Sequence, residues 1–170
     1  MSRSQERLDQ IAAEVLDALD RENETLVLAE SCTAGLIAAT LARVPGMSRR
    51  LAGSLVVYQI ASKVSWLCIP TETIERHDVV SREVAAMMAE RALVQTPHAT
   101  IAMSITGHLG PNAPTTLDGI AWLAIAGKGS ATVTFRLQLV SDSEPNSLEN
   151  RLDRQSDAVF QALSHLLNRM

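Results

Sequence analysis

The chain predicts an α/β domain of three layers, a mixed β-sheet with helices on both faces, and three observations predict it. Short apolar runs of strand length alternate with helical periodicities through the first half of the chain. Two later strand-like stretches are joined only by Gly127-Lys-Gly129, which makes them an antiparallel hairpin. At 170 residues the chain is a single domain, 1–170, large enough to bury a core without disulfide staples.

Residues 4–21 read as an amphipathic helix, with Leu8, Ile11, Ala12, Val15, Leu16 and Leu19 on one face and a capping box from Ser2 and Gln5. Residues 25–29 are too short for a helix and read as a buried strand. A helix follows over 33–43 and is stopped by Val44-Pro-Gly46. Residues 51–58 form the next strand, 61–67 a short helix, and 71–76 a helical turn. Ser81 caps a helix reaching about residue 94. Residues 99–106 are a strand, 107–119 a loop by Gly, Pro and Asn content, and 119–126 with 130–140 the hairpin. Asn146 with Glu149 marks a capping box for the last helix.

Composition narrows the function. Lys and Arg number 15 against 19 Asp and Glu, a formal charge of −4, and no basic block occurs. A nucleic-acid surface is therefore not expected. No leader and no apolar run of roughly 18 residues is visible, so the expectation is a cytoplasmic protein without a membrane partner. Cys32 and Cys68 form no framework, and a disulfide between them stays open. His77, His98, His108 and His165 stand apart from one another, so no metal is expected. His108 lies in the Gly/Pro loop and draws the most attention.

Chemistry concentrates at the first strand-to-helix turn. Ser31 lies where unpaired amides begin a helix, a setting that suits a nucleophile with an oxyanion hole. Taken alone, Ser31 or Thr33 reads first as a helix cap, since capping serines are far commoner than catalytic ones. Cys32 reads as a buried, inert thiol. Lys63 lies on a short apolar helix beside Val64, Trp66 and Leu67. Desolvation there disfavours its charge, and a neutral amine can take a proton from a serine hydroxyl. The other reading of Lys63 is a side chain snorkelling to water. Tyr58, the only tyrosine, ends a strand nearby.

The order A-E-S-C-T-A-G (29–35), V-P-G (44–46) and G-S-L-V-V-Y-x4-K (53–63) resembles the CinA family C-terminal domain, in its stand-alone form. Further similarity runs through Ile69-Pro70, residues 80–84, 104–107 and Gly110-Pro111, over roughly residues 5–165. The resemblance implies an amidohydrolase converting nicotinamide mononucleotide (NMN) to nicotinic acid mononucleotide and ammonia, without a cofactor. It implies Ser31 as nucleophile, Lys63 as base and Tyr58 working with them; the helix start itself offers the amides of Thr33 and Ala34 as oxyanion donors. It also implies substrate binding by Thr33, Ala34, Gly35, Thr106, Gly107, His108 and Gly110, and a homodimer. The apolar faces of the first and last helices favour the dimer.

Three positions differ from the family pattern. Ile60 replaces an Asn, the 107–114 loop has fewer glycines, and a G-D-R element before the last helix is represented only by Ser141-Asp142-Ser143. Two further readings therefore stand beside NMN deamidation: a Ser–Lys amidohydrolase with a changed substrate, and a non-catalytic relative that binds a ligand or partner. In an active enzyme the Ser31 hydroxyl is expected to be open to solvent.

Overall fold

The computed structural model describes residues 3–170. Five strands form one sheet in the order β2-β1-β3-β4-β5. They are β1 (Leu26–Glu30), β2 (Leu51–Val56), β3 (Ile101–Gly107), β4 (Ile120–Gly127) and β5 (Val133–Gln138). β2, β1 and β3 run parallel, while β4 and β5 are antiparallel additions. The helices are α1 (Arg3–Arg21), α2 (Leu36–Ala42), α3 (Ile60–Leu67), α4 (Thr71–His77), α5 (Arg82–Gln95) and α6 (Leu148–Arg169). The mixed three-layer fold read from the sequence is the one observed.

The alternation of a strand divides the core in two. Leu26 and Leu28 of β1, Met103 and Ile105 of β3, and Leu123 and Ile125 of β4 face one layer. That layer is α1, α2 and α6, and it includes Leu8, Val15 and Leu19 of α1 packed with Val159, Leu163 and Leu166 of α6. The apolar faces of the first and last helices are thus spent inside the chain. Val27, Ala29, Ala102, Ala124 and Ala126 face the opposite layer, where α5 presents Ala85, Ala89 and Ala92. Small residues on both sides let α5 approach the sheet closely, and the Ser104 hydroxyl donates to Ala85 C=O across the contact at 2.6 Å.

Several boundaries differ from the sequence reading; β3 is Ile101–Gly107 rather than 99–106 and β5 is Val133–Gln138 rather than 130–140. α2 starts at Leu36 rather than 33, because Ala34 and Gly35 both adopt positive φ (52° and 95°) and hold the chain in a turn first. β2 stops at Val56, and Val57 N–H makes the final ladder bond, to Glu30 C=O at the end of β1. α6 is capped by Ser147, whose oxygen accepts from Asn150 N–H at 2.9 Å, and not by Asn146. Asn146 has φ 64°, outside the extended region an N-cap requires. The Ser81 cap of α5 is present, with Val84 N–H as donor. Ser2 of the expected first capping box lies outside the described residues.

The α5–sheet contact leaves no room for extra volume. Ala89→Leu should destabilise the domain by about 1–3 kcal/mol through overpacking, read as a lower urea midpoint with unchanged slope. An unchanged midpoint would show that the contact is not close-packed.

Candidate active site

The parallel strands β1, β2 and β3 end on one edge of the sheet, the edge where ligands bind in open α/β folds. Ser31 follows β1, Tyr58 follows β2, and Thr106 and Gly107 close β3. Together with Lys63, the loop after β3 and α6 they line a cleft of about 270 Å³.

Glu30, the last residue of β1, organises the turn. Its side chain is 1 % exposed and accepts five hydrogen bonds. Oε2 takes the Thr33 hydroxyl (2.8 Å), Gly35 N–H (3.0 Å) and Ile37 N–H (3.1 Å). Oε1 takes Ala38 N–H and the Ser54 hydroxyl, both at 3.0 Å. The start of α2 is thereby satisfied from within the chain. Its amides are turned to Glu30, not to a ligand.

Lys63 is fully buried, and its amine donates to Val57 C=O at 2.7 Å and lies 2.8 Å from Ser31 Oγ. Burial is permitted because α3 sets the apolar stem against the core and the β2–α3 loop supplies the carbonyl. Desolvation pulls the amine from its ordinary 10.5 to about 8, opposed by the Cys32 thiol in its charged form. That opposition is weak near neutrality, since burial pushes the Cys32 thiol up to about 12 and keeps it protonated. Ser31 is not open to solvent as expected: it is 8 % exposed, on the wall of the cleft. The same desolvation that makes Lys63 a weak acid-holder encloses the hydroxyl.

This is a serine–lysine pair within hydrogen-bond reach, at the carboxyl edge of a β2-β1-β3 parallel core. Residues 8–170 match the CinA C-terminal domain. The chain belongs to the CinA family. It is 39 % identical over 158 residues to a CinA-like protein of Myxococcus xanthus, covering 92 % of this chain and 36 % of that protein. It is 38 % identical over 149 residues to a putative competence-damage inducible protein of Listeria welshimeri, covering 84 % and 33 %. The chain therefore spans about a third of the length of these curated relatives. Among solved structures it is similar to competence damage-inducible protein A (ComA) of Klebsiella pneumoniae, with TM-score 0.86, 27 % identity, and 95 % and 96 % of the two chains covered. It is likewise similar to CihA of Agrobacterium tumefaciens, with TM-score 0.84, 26 % identity and the same coverage.

The structure gathers some of the expected CinA site residues and separates others. Thr106, Gly107, His108 and Gly110 line the cleft with Ser31, Tyr58 and Lys63. Gly107 must be glycine, because a Cβ there would lie 2.6 Å from Ala121 Cβ. Thr33, Ala34 and Gly35 do not line the cleft; they form the turn behind Ser31, where Thr33 and Gly35 bond the Glu30 carboxylate. Ala34 N–H, expected as an oxyanion donor, bonds Ser31 C=O inside the turn. The amides of Cys32 and Thr33 are the two after Ser31 with no acceptor among the described residues. Tyr58 OH meets Arg151 Nη2 at 2.8 Å rather than Ser31 or Lys63. Cys32 and Cys68 are both free thiols, one buried and one exposed.

Arg151 escaped the sequence reading, which found no arginine to replace the G-D-R element. It enters the cleft from the first turns of α6 and spans it, donating to Tyr58 OH and to Gly110 C=O. A signal existed: a cation near a helix N-terminus opposes the dipole, so a stability argument does not place it there. Ile60 also lines the cleft and is 50 % exposed, an apolar group at the mouth.

The buried amine sets a pH dependence of stability. Between pH 8 and 10.5 the unfolded chain holds the Lys63 proton and the folded chain does not, so stability rises with pH in that window. The fall from 10.5 to about 8 corresponds to about 3 kcal/mol. Wild-type stability minus that of Lys63→Met should climb by that amount from pH 8 to 10.5 in urea titrations. A flat difference would mean that Lys63 is solvated.

Proposed function

We propose that this protein is an amidohydrolase acting through Ser31 and Lys63, with NMN as substrate. One observation carries the reading: the Lys63 amine lies 2.8 Å from Ser31 Oγ, in a place that lowers its proton affinity to about 8. A general base works best when its pKa is near the operating pH, and it must reach the proton it takes.

The steps follow from the geometry. Neutral Lys63 keeps one N–H on Val57 C=O, which aims its lone pair at the Ser31 hydroxyl. Ser31 Oγ attacks the amide carbon as its proton passes to Lys63. The carbonyl oxygen becomes an oxyanion, for which Cys32 N–H and Thr33 N–H are the available donors. Collapse breaks the C–N bond, and the Lys63 ammonium returns its proton to the departing nitrogen, releasing ammonia. Water then attacks the Ser31 ester and gives its proton to Lys63; the ester C–O bond breaks as Lys63 returns that proton to Ser31 Oγ, and the acid leaves. Cys32 takes no part, since its thiol stays protonated.

The cleft wall supports a planar, partly apolar amide carrying an anion. Val79, Val80 and Leu109 are apolar, and Arg151 supplies a cation. Ile60 at the mouth favours a second reading, the same chemistry on a different amide. A panel of amides beside NMN distinguishes the two by relative kcat/KM.

Ser31→Ala should lower ammonia release from NMN by at least about 10³-fold while leaving NMN affinity within about threefold. Lys63→Arg should be nearly as inactive as Lys63→Ala, because guanidinium cannot serve as a neutral base. Activity of the wild type should rise with pH through about 8 as the amine deprotonates. Full turnover by Lys63→Arg, or a pH profile flat from 6 to 9, would remove Lys63 from this role.

The homodimer belongs to the same proposal. Leu148 and Leu152 at the start of α6 remain exposed, as does Val140, and they supply apolar surface that the fold does not use. Light scattering should give twice the 18.4 kDa chain mass, and Leu152→Glu should shift it towards the monomer. A monomer mass at all concentrations would end the dimer proposal.

A further inference from the structure

The turn after Ser31 is held from two sides by different chemistry. Glu30 collects N–H groups at the start of α2. On the other side, Gln155 of α6 donates from Nε2 to Cys32 C=O (3.3 Å) and Thr33 C=O (3.2 Å). One amide nitrogen therefore uses both hydrogens on two consecutive carbonyls. Gln155 lies one helical turn beyond Arg151, and its own function in the fold is otherwise minor: it is half-buried and belongs to neither core cluster.

A peptide unit is planar and trans, so its C=O and the following N–H point in opposite directions. Holding Cys32 C=O against α6 turns Thr33 N–H away from α6. Holding Thr33 C=O turns Ala34 N–H away likewise, onto Ser31 C=O. If the Cys32 carbonyl were released, its unit could rotate and present an oxygen where the Thr33 N–H donor is required; the bond to Thr33 C=O holds the next unit of the same turn in place. An oxygen there would repel a developing oxyanion.

We propose that Gln155 is a positioning residue of the Ser31 reaction, fixing the peptide plane that aims the Thr33 N–H oxyanion donor. The inference rests on the amidohydrolase reading but concerns no particular amide. A fluorophosphonate probe tests it without the natural substrate. Ser31 Oγ bonds phosphorus, fluoride leaves, the hydroxyl proton goes to Lys63, and the phosphoryl oxygen takes the place of the oxyanion.

Labelling rates, followed by mass spectrometry, are compared for wild type, Ser31→Ala, Gln155→Ala and Gln155→Glu. Gln155→Ala should lower kinact about tenfold and Gln155→Glu further, since a carboxylate cannot donate and repels both carbonyls. KI should stay within about twofold, the Tm within about 3 °C, and the pH midpoint of kinact at the wild-type value, because Lys63 is untouched. A general loosening of the fold would instead move the midpoint and the Tm together with kinact, and that result overturns the proposal. Equal kinact in wild type and both Gln155 variants overturns it while leaving the amidohydrolase reading intact. Wild-type labelling no faster than that of Ser31→Ala overturns both.

Discussion

The five hydrogen bonds to the Glu30 carboxylate are the constraint on which the site depends. A buried carboxylate without partners would be intolerable, and one with five donors becomes an anchor. Its donors come from the turn, from α2 and from β2, so it ties three segments to the end of β1. The consequence reaches Ser31 directly, because the next residue along has little freedom left. It also means that the helix dipole of α2 is already used. The cleft must find its positive groups elsewhere, and it finds them in Lys63 and in Arg151 of the last helix.

Lys63 shows how burial and chemistry coincide. The stem packs with the core while the amine keeps two partners, Ser31 and the Val57 carbonyl. A backbone carbonyl is a neutral acceptor and leaves the amine close to neutrality, whereas a carboxylate in its place would hold the proton on. Choice of partner, as much as burial, sets the lysine near its useful range. Cys32 beside it is driven the opposite way by the same medium, so one environment silences a thiol and wakes an amine.

The fold was largely legible because its signals are local. Apolar runs marked the strands, Ser81 and Pro45 marked helix ends, and Gly127-Lys-Gly129 marked the hairpin. Ser31 and Lys63 were legible as a pair through the family resemblance, and 32 residues of separation hid the pairing from any local argument. What stayed hidden depended on tertiary contact. Glu30 fell just past the strand read at 25–29 and drew no role, although a carboxylate following the run Leu-Val-Leu-Ala was itself a clue. Arg151 and Gln155 looked like the solvated face of α6, since nothing local says that this face meets a turn near residue 32. The cap at Ser147 was lost to a neighbouring Asn with equal propensity, and only the positive φ of Asn146 decides between them.

The turn beside the cleft is braced by a bond from Gln155 to Cys32, 123 residues apart along the chain. Contacts of such separation form late, because the intervening loop must close before they contribute. During synthesis the β1 turn, the buried lysine and the loop after β3 all emerge before α6 does. A nascent chain therefore carries Ser31 for much of its elongation without the helix that braces its turn. The cleft is therefore complete only once α6 has docked.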